Sequence, residues 1–136
     1  MENYILRRIS DNKIIEEPIK DTAGGIGWAY DDKSFFYRKH DPQHRARKIF
    51  QHRLGTSSKE DKLIFEEESE RFTCSISTTS CENFYLIDTS EHTTSEIYYF
   101  HKDEKIFKPK LFIKREEGVQ YSVDSFGDWW LSLIHI

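Results

Sequence analysis

The residues whose chemistry asks for an explanation first are His40, His44 and His52, the acidic run Glu66, Glu67, Glu68 and Glu70, and the two cysteines Cys74 and Cys81. His40 and His44 have the i, i+4 spacing that places two imidazoles on one face of a helix, as zinc sites use it. Here the pair flanks Pro42 in a loop between two apolar runs, so helical geometry does not apply. Ordinary surface-loop histidines are the plainer account, and a metal-dependent enzyme built on His40, His44 and His52 is the sharper one. The acidic run reads as a solvated connection, or as part of a negative field that draws cationic partners. Paired carboxylates working as acid and base would need a cleft, and none is legible.

Nucleophiles are no better served. No G-x-S-x-G elbow occurs, and the serines fall in turns or on strand faces. Cys74, between Thr73 and Ser75, reads as strand packing, and Cys81, in the Ser80–Asn83 turn, as the more exposed thiol. Neither has a histidine close by in sequence, and two cysteines without zinc-like spacing suit a reducing, cytoplasmic setting. Gly24 and Gly25 are followed by no helical pattern, which makes a poor phosphate loop. Trp28, Trp129 and Trp130 read as core or interface aromatics. The expectation is that this chain holds no catalytic, cofactor-binding or metal residue of its own.

The elements that would position such residues are strands. Of 136 residues, 15% are aromatic, including 10 Phe and 7 Tyr, and they cluster with Ile, Val and Thr. That mixture suits half-buried pleated surfaces. Charged residues make up 32% but are interspersed with apolar ones, which argues against disorder. The net charge of −4 leaves no basic footprint for nucleic acid. No apolar run approaches a membrane span, and MENYILRR lacks a signal-peptide core.

In chain order, Tyr4–Ile9 and Lys13–Glu16 form a hairpin pattern around Ser10-Asp11-Asn12. Pro18 ends it, and Asp21–Gly27 reads as a Gly-rich connection. Strands are expected at Ile26–Tyr30, Ser34–Lys39, Arg47–Arg53 and Leu63–Glu66. A second set falls at Thr73–Thr78, Asn83–Asp88, Glu96–His101 and Lys110–Ile113, and a third opens at Tyr121–Ser125 and Trp129–Leu133. Only Glu67–Arg71 has the makings of a helical turn.

The sets repeat. Ile49 to Ile97 (97 − 49) and Leu63 to Leu111 (111 − 63) give about 48, while Trp28 to Ser75 and Ser75 to Ser122 give about 47. Four strands per period of roughly 40–50 residues is the pattern of propeller blades. The fold expected is all-β: about two and a half four-stranded antiparallel blades, with blades over 26–67 and 72–114 and partial blades at both ends of 1–130. Residues 1–17 would supply the last two strands of a preceding blade. The alternative is a self-contained β-sandwich that binds a protein or carbohydrate partner.

FFYRKHDPQHRARKIFQHRLGT, EDKLIFEE, HTTSEIYYF and PKLFIKREEGVQYSVDSFGD together resemble the propeller domain of the prolyl oligopeptidase family of serine peptidases, in its oligopeptidase B branch. The resemblance runs in unbroken order from about Tyr4 to Asp128. It implies part of a seven-bladed propeller that caps an α/β-hydrolase domain and filters peptides by size. The Ser, Asp and His, and the acidic residues selecting Lys or Arg before the cleaved bond, would lie in that other domain. No residue role therefore transfers to this chain, which is expected to be inactive alone, with its own hydrolase domain and peptide substrates as partners. The resemblance also makes Met1 an internal or misplaced start. The ending Leu131–Ile136 (LSLIHI) matches the translation of a transposase mosaic-end sequencing adaptor and is expected to be a non-native tail.

Overall fold

The computed structural model describes residues 2–135, and among these every long element is a strand. The first sheet contains β1 (Glu2–Tyr4), β2 (Ile19–Trp28), β3 (Ser34–His40), β4 (Ala46–Arg53) and β5 (Lys62–Glu66), side by side in chain order. The second contains β6 (Thr73–Thr78), β7 (Phe84–Ser90), β8 (Ser95–His101) and β9 (Lys110–Ile113). A ribbon of β10 (Gln120–Phe126) and β11 (Trp129–His135) makes the third. All pairings are antiparallel.

The sheets follow one another face to face. Successive side chains on a strand point to opposite faces, and the central strands bury both. Phe36 and Ile49 on the first sheet meet Cys74, Tyr85, Ile87 and Phe100 on the second. From the second sheet's far face, Leu86 and Ile97 meet Tyr121 and Val123 on the third. A sandwich has one core between two sheets; this chain has sheets in series, each with a neighbour's side chains against it, as propeller blades do. The sandwich alternative does not describe it.

Turn geometry fixes the true repeat. Ala29 N donates to Ser34 O at 3.0 Å and Thr79 N to Phe84 O at 3.0 Å. Asp32 and Glu82 occupy the same left-handed position in those turns, with φ of 56° and 59°. The inner strands therefore correspond at 82 − 32, an offset of 50. The sequence alignment of Trp28 with Ser75 is corrected accordingly: Trp28, opposite Phe35, corresponds to Thr78, opposite Tyr85. The offset falls back to 48 at Ile49 and Ile97 because the β3–β4 turn is one residue longer than the β7–β8 turn and a register shift between Lys39 and His40 adds a second residue.

The local expectations fare differently from one another. Asp21–Gly27 is not a connection but lies within β2, which shifts register between Ala23 and Ile26. That bulge takes Gly25 to φ +92°, where a side chain is strained. Glu2–Tyr4 pairs with Ile19 and Thr22 in the first sheet. The hairpin expected over Tyr4–Glu16 forms: Arg7 bridges Ile14, Arg8 N donates to Lys13 O at 3.0 Å and Ile15 N to Leu6 O at 3.1 Å. Glu67–Arg71 forms no helix, and among the described residues the one short turn of 3₁₀ type is Ser58–Glu60, capped by the Ser57 hydroxyl. The residues expected to be a foreign tail enter β11 as far as His135, and Ile136 lies outside the described residues.

Candidate functional site

Three groups of polar side chains are buried between or against the sheets. The first is centred on His52, at the end of β4 on the face that carries Phe35, Tyr37 and Phe50. His52 is 1% exposed, so it is no surface-loop histidine. Its Nε2 lies 2.6 Å from Glu16 Oε2 and its Nδ1 2.7 Å from Asp61 Oδ1. Asp61 also accepts from the Tyr37 hydroxyl, and Glu16 from Gly55 N. Burial alone would lower the imidazole pKa, but hydrogen bonds and charge from both carboxylates outweigh it and raise the value.

A histidine between two carboxylates resembles a catalytic relay, but the geometry does not support one. A relay needs a nucleophile on one ring nitrogen and access for a substrate. Both nitrogens are taken by carboxylates, and the ring is sealed. Tyr37, the remaining hydroxyl, is pushed up by burial and by Asp61, away from nucleophilic use. The group works instead as a clamp. Glu16 belongs to the segment that lays Tyr4 and Leu6 over the first sheet's outer face, with Tyr4 and Tyr37 rings 6.2 Å apart.

The second group joins the connections between sheets. Glu67, read from sequence as solvated, is 3% exposed. Arg115, which follows β9, reaches it with bonds of 3.0 and 2.8 Å and lies 3.2 Å from Glu96. Thr89 donates to the same Glu67, and Arg115 N donates to Glu96 Oε2 at 2.7 Å. The guanidinium sits 3.9 Å above the Phe72 ring. Glu67 therefore binds the first inter-sheet link to the second. Glu66, Glu68 and Glu70 remain on the surface. Sequence reasoning missed both groups because their members lie far apart in the chain.

His40 and His44 come together, with ring centroids 6.3 Å apart, but His52 sits near the opposite end of β4. Among the described residues no group of three His, Cys, Asp or Glu side chains is placed to hold a metal ion. Cys74 is buried against the first sheet, and burial pushes its thiol up to about 12. It is packing material. Cys81 is half-buried and hydrogen-bonds with Ser125 at 3.0 Å, which with Thr79 lowers its pKa. Trp130 packs on Phe84, Tyr99 and Phe112, whereas Trp129 is 80% exposed.

The third group lies between the first two sheets, in a cleft of about 310 Å³ beside Tyr30 and Glu104. Nothing in these groups combines an accessible nucleophile with a base.

The family model for the N-terminal beta-propeller domain of prolyl oligopeptidase matches residues 1–134. The chain belongs to the prolyl oligopeptidase family. Within it, Protease 2 of Moraxella lacunata is 32% identical over 105 residues, 77% of this chain and 15% of that protein. Oligopeptidase B from Leishmania major superposes with a TM-score of 0.86 at 26% identity, over 94% of this chain and 18% of that one. Oligopeptidase B from Trypanosoma brucei, solved in a closed form with covalently bound antipain, gives a TM-score of 0.80 at 22% identity, over 87% and 17%. The chain thus spans less than a fifth of these relatives and is propeller throughout its match. No helix among the described residues is long and apolar enough to cross a membrane.

Proposed function

We propose that this chain is a non-catalytic part of the propeller of an oligopeptidase-B-like serine peptidase, where it gates peptide access to an α/β-hydrolase site. The observation that carries the reading is the match of residues 1–134 to a peptidase propeller in a chain whose buried histidine and thiol are both sequestered. In the whole enzyme, seven blades would cap the hydrolase domain. That domain would supply Ser, His and Asp for acyl transfer to water, and acidic residues choosing Lys or Arg. The enzyme would be cytoplasmic and take short peptides.

Two experiments test this. The purified 136-residue chain is expected to leave arginyl and lysyl esters uncut; turnover that persists after serine-peptidase inhibitor controls would overturn the assignment. For gating, this segment replaces its counterpart in Leishmania major oligopeptidase B. The exchange enzyme is expected to cut short arginyl peptides and spare a folded protein bearing the same sequences. Loss of that size selection in the exchange enzyme, with peptide cleavage retained, would count against the gate, as would unchanged selection in an enzyme lacking the segment altogether.

A further inference from the structure

We propose that the hairpin over Leu6–Ile15 is a strap latched onto the first sheet by a doubly protonated His52, and that loss of one imidazole proton frees Glu16 and lifts the strap from the apolar face beneath it. The strap is tethered at both ends. Tyr4 donates to Ala23 O at 2.8 Å, and Ile19, buried, opens β2. Between those tethers every residue from Ile5 to Pro18 is exposed except Leu6 and Glu16. Leu6 packs with the cluster of Ile19, Phe35 and Tyr37, and Glu16 reaches His52 and Gly55 N. One apolar side chain and one carboxylate thus hold the strap down.

An ionised carboxylate only accepts, so an imidazole that faces one at each nitrogen must carry a proton on each. His52 does so, with Glu16 Oε2 at 2.6 Å from Nε2 and Asp61 Oδ1 at 2.7 Å from Nδ1. Removing either proton turns a ring lone pair onto a carboxylate and leaves two negative charges around a neutral ring. Burial decides which carboxylate leaves. The Asp61 side chain is 2% exposed and is also held by the Tyr37 hydroxyl, whereas that of Glu16 is 14% exposed. Glu16 therefore turns to water and takes the strap with it, while Nδ1 keeps its proton for Asp61.

The titratable groups around the ring are few. The strap brings Glu16, β3 brings Tyr37, and the β4–β5 connection brings Asp61, with Glu60 beside it in an exposed turn. Arg53, next along β4, projects to the other face, as does Lys62, which opposes Gln51. Burial lowers the pKa of the ring, but the bonds and charges of Glu16 and Asp61 outweigh it. The latch is therefore closed at the ordinary histidine value of about 6.5 and opens as pH rises through the higher folded value. Lifting the strap uncovers a cavity of about 320 Å³ walled by Leu6, Ile19, Ile26, Trp28 and Phe35. Every group in the latch belongs to this chain, so the device does not depend on the peptidase reading.

The test is a pH series of NMR spectra and amide hydrogen exchange on the 136-residue chain, with exchange corrected for its own base catalysis. As pH rises, the His52 ring is expected to lose its Nε2 proton and keep the one on Nδ1. Over the same range the opening that exposes Gly55 N, the amide held by Glu16, should grow by up to about tenfold per pH unit, the limit for one proton. Contacts from the Leu6 methyls to the sheet should fade with it, while the amides of β3 and β4 stay protected. His52→Gln should remove the pH dependence, and Glu17→Gln, at the exposed neighbouring position, should leave it intact. If the His52 variant does not fold, Glu16→Gln decides: it should leave the strap loosened and its opening flat with pH. Opening that ignores pH, strap and β3 amides losing protection together, loss of the Nδ1 proton first, or an unchanged pH dependence in folded His52→Gln or Glu16→Gln would each overturn the proposal.

Discussion

Glu67 shows how much one buried carboxylate can hold. It accepts two bonds from Arg115 and one from Thr89, and its backbone carbonyl accepts from Arg47 at 2.8 Å. Removing one partner from a buried pair leaves the other charged and unpaired, which costs about 3–5 kcal/mol. Glu67→Ala is therefore expected to lose about that much in chemical denaturation, while Glu66→Ala, on the surface, should stay within about 0.5 kcal/mol of the parent. His52 gives the second prediction at this scale. Its folded pKa is raised by Glu16 and Asp61, so its stabilising effect is complete below the unfolded value of about 6.5 and is lost as pH rises through the folded value. The denaturation midpoint should fall as the pH is taken upward across that window, and His52→Gln should abolish this component of the fall. Neither residue was legible in sequence as what it is. His52 meets Glu16 across 36 positions and Arg115 meets Glu67 across 48, whereas turn and charge-run rules see only neighbours.

At the scale of elements, the strands were legible wherever apolar residues alternate and turn residues intervene. Ser34–His40, Thr73–Thr78 and Ser95–His101 fall close to the expected runs. Propensity failed at β2 because Gly24 and Gly25 look like a loop, yet a bulge uses the freedom they supply while the ladder continues on either side. It failed again for the 3₁₀ turn, where a Ser57 cap decided the matter instead of the acidic run. Packing makes its own forecast. Phe36 is fully buried, with Tyr85 and Phe100 edge-on at 5.0 and 5.9 Å. Phe36→Ala should cost about 3–5 kcal/mol. Trp129→Ala, at the exposed tip of the ribbon, should cost under about 0.5 kcal/mol. Equal losses at the two sites would mean the sheets are not stacked in this order.

For the whole molecule, the period near 48 in the sequence carries the architecture, since Ile49 and Ile97 do occupy matching places on the forward faces of successive sheets. What the period could not supply was the shape of the joints, which depends on Arg115, Glu96 and Glu67 meeting across two connections. The serial order has a kinetic corollary. The second sheet is covered on both faces, while the first is roofed by a short segment on one side and the third exposes Leu131 and Leu133. In quasi-one-dimensional stacks each layer is protected by its immediate contacts. Backbone deuteration should therefore advance inward from both flanks, with β7 and β8 the last to take up label. A chain that labels uniformly would be opening all at once, with no hierarchy among its layers.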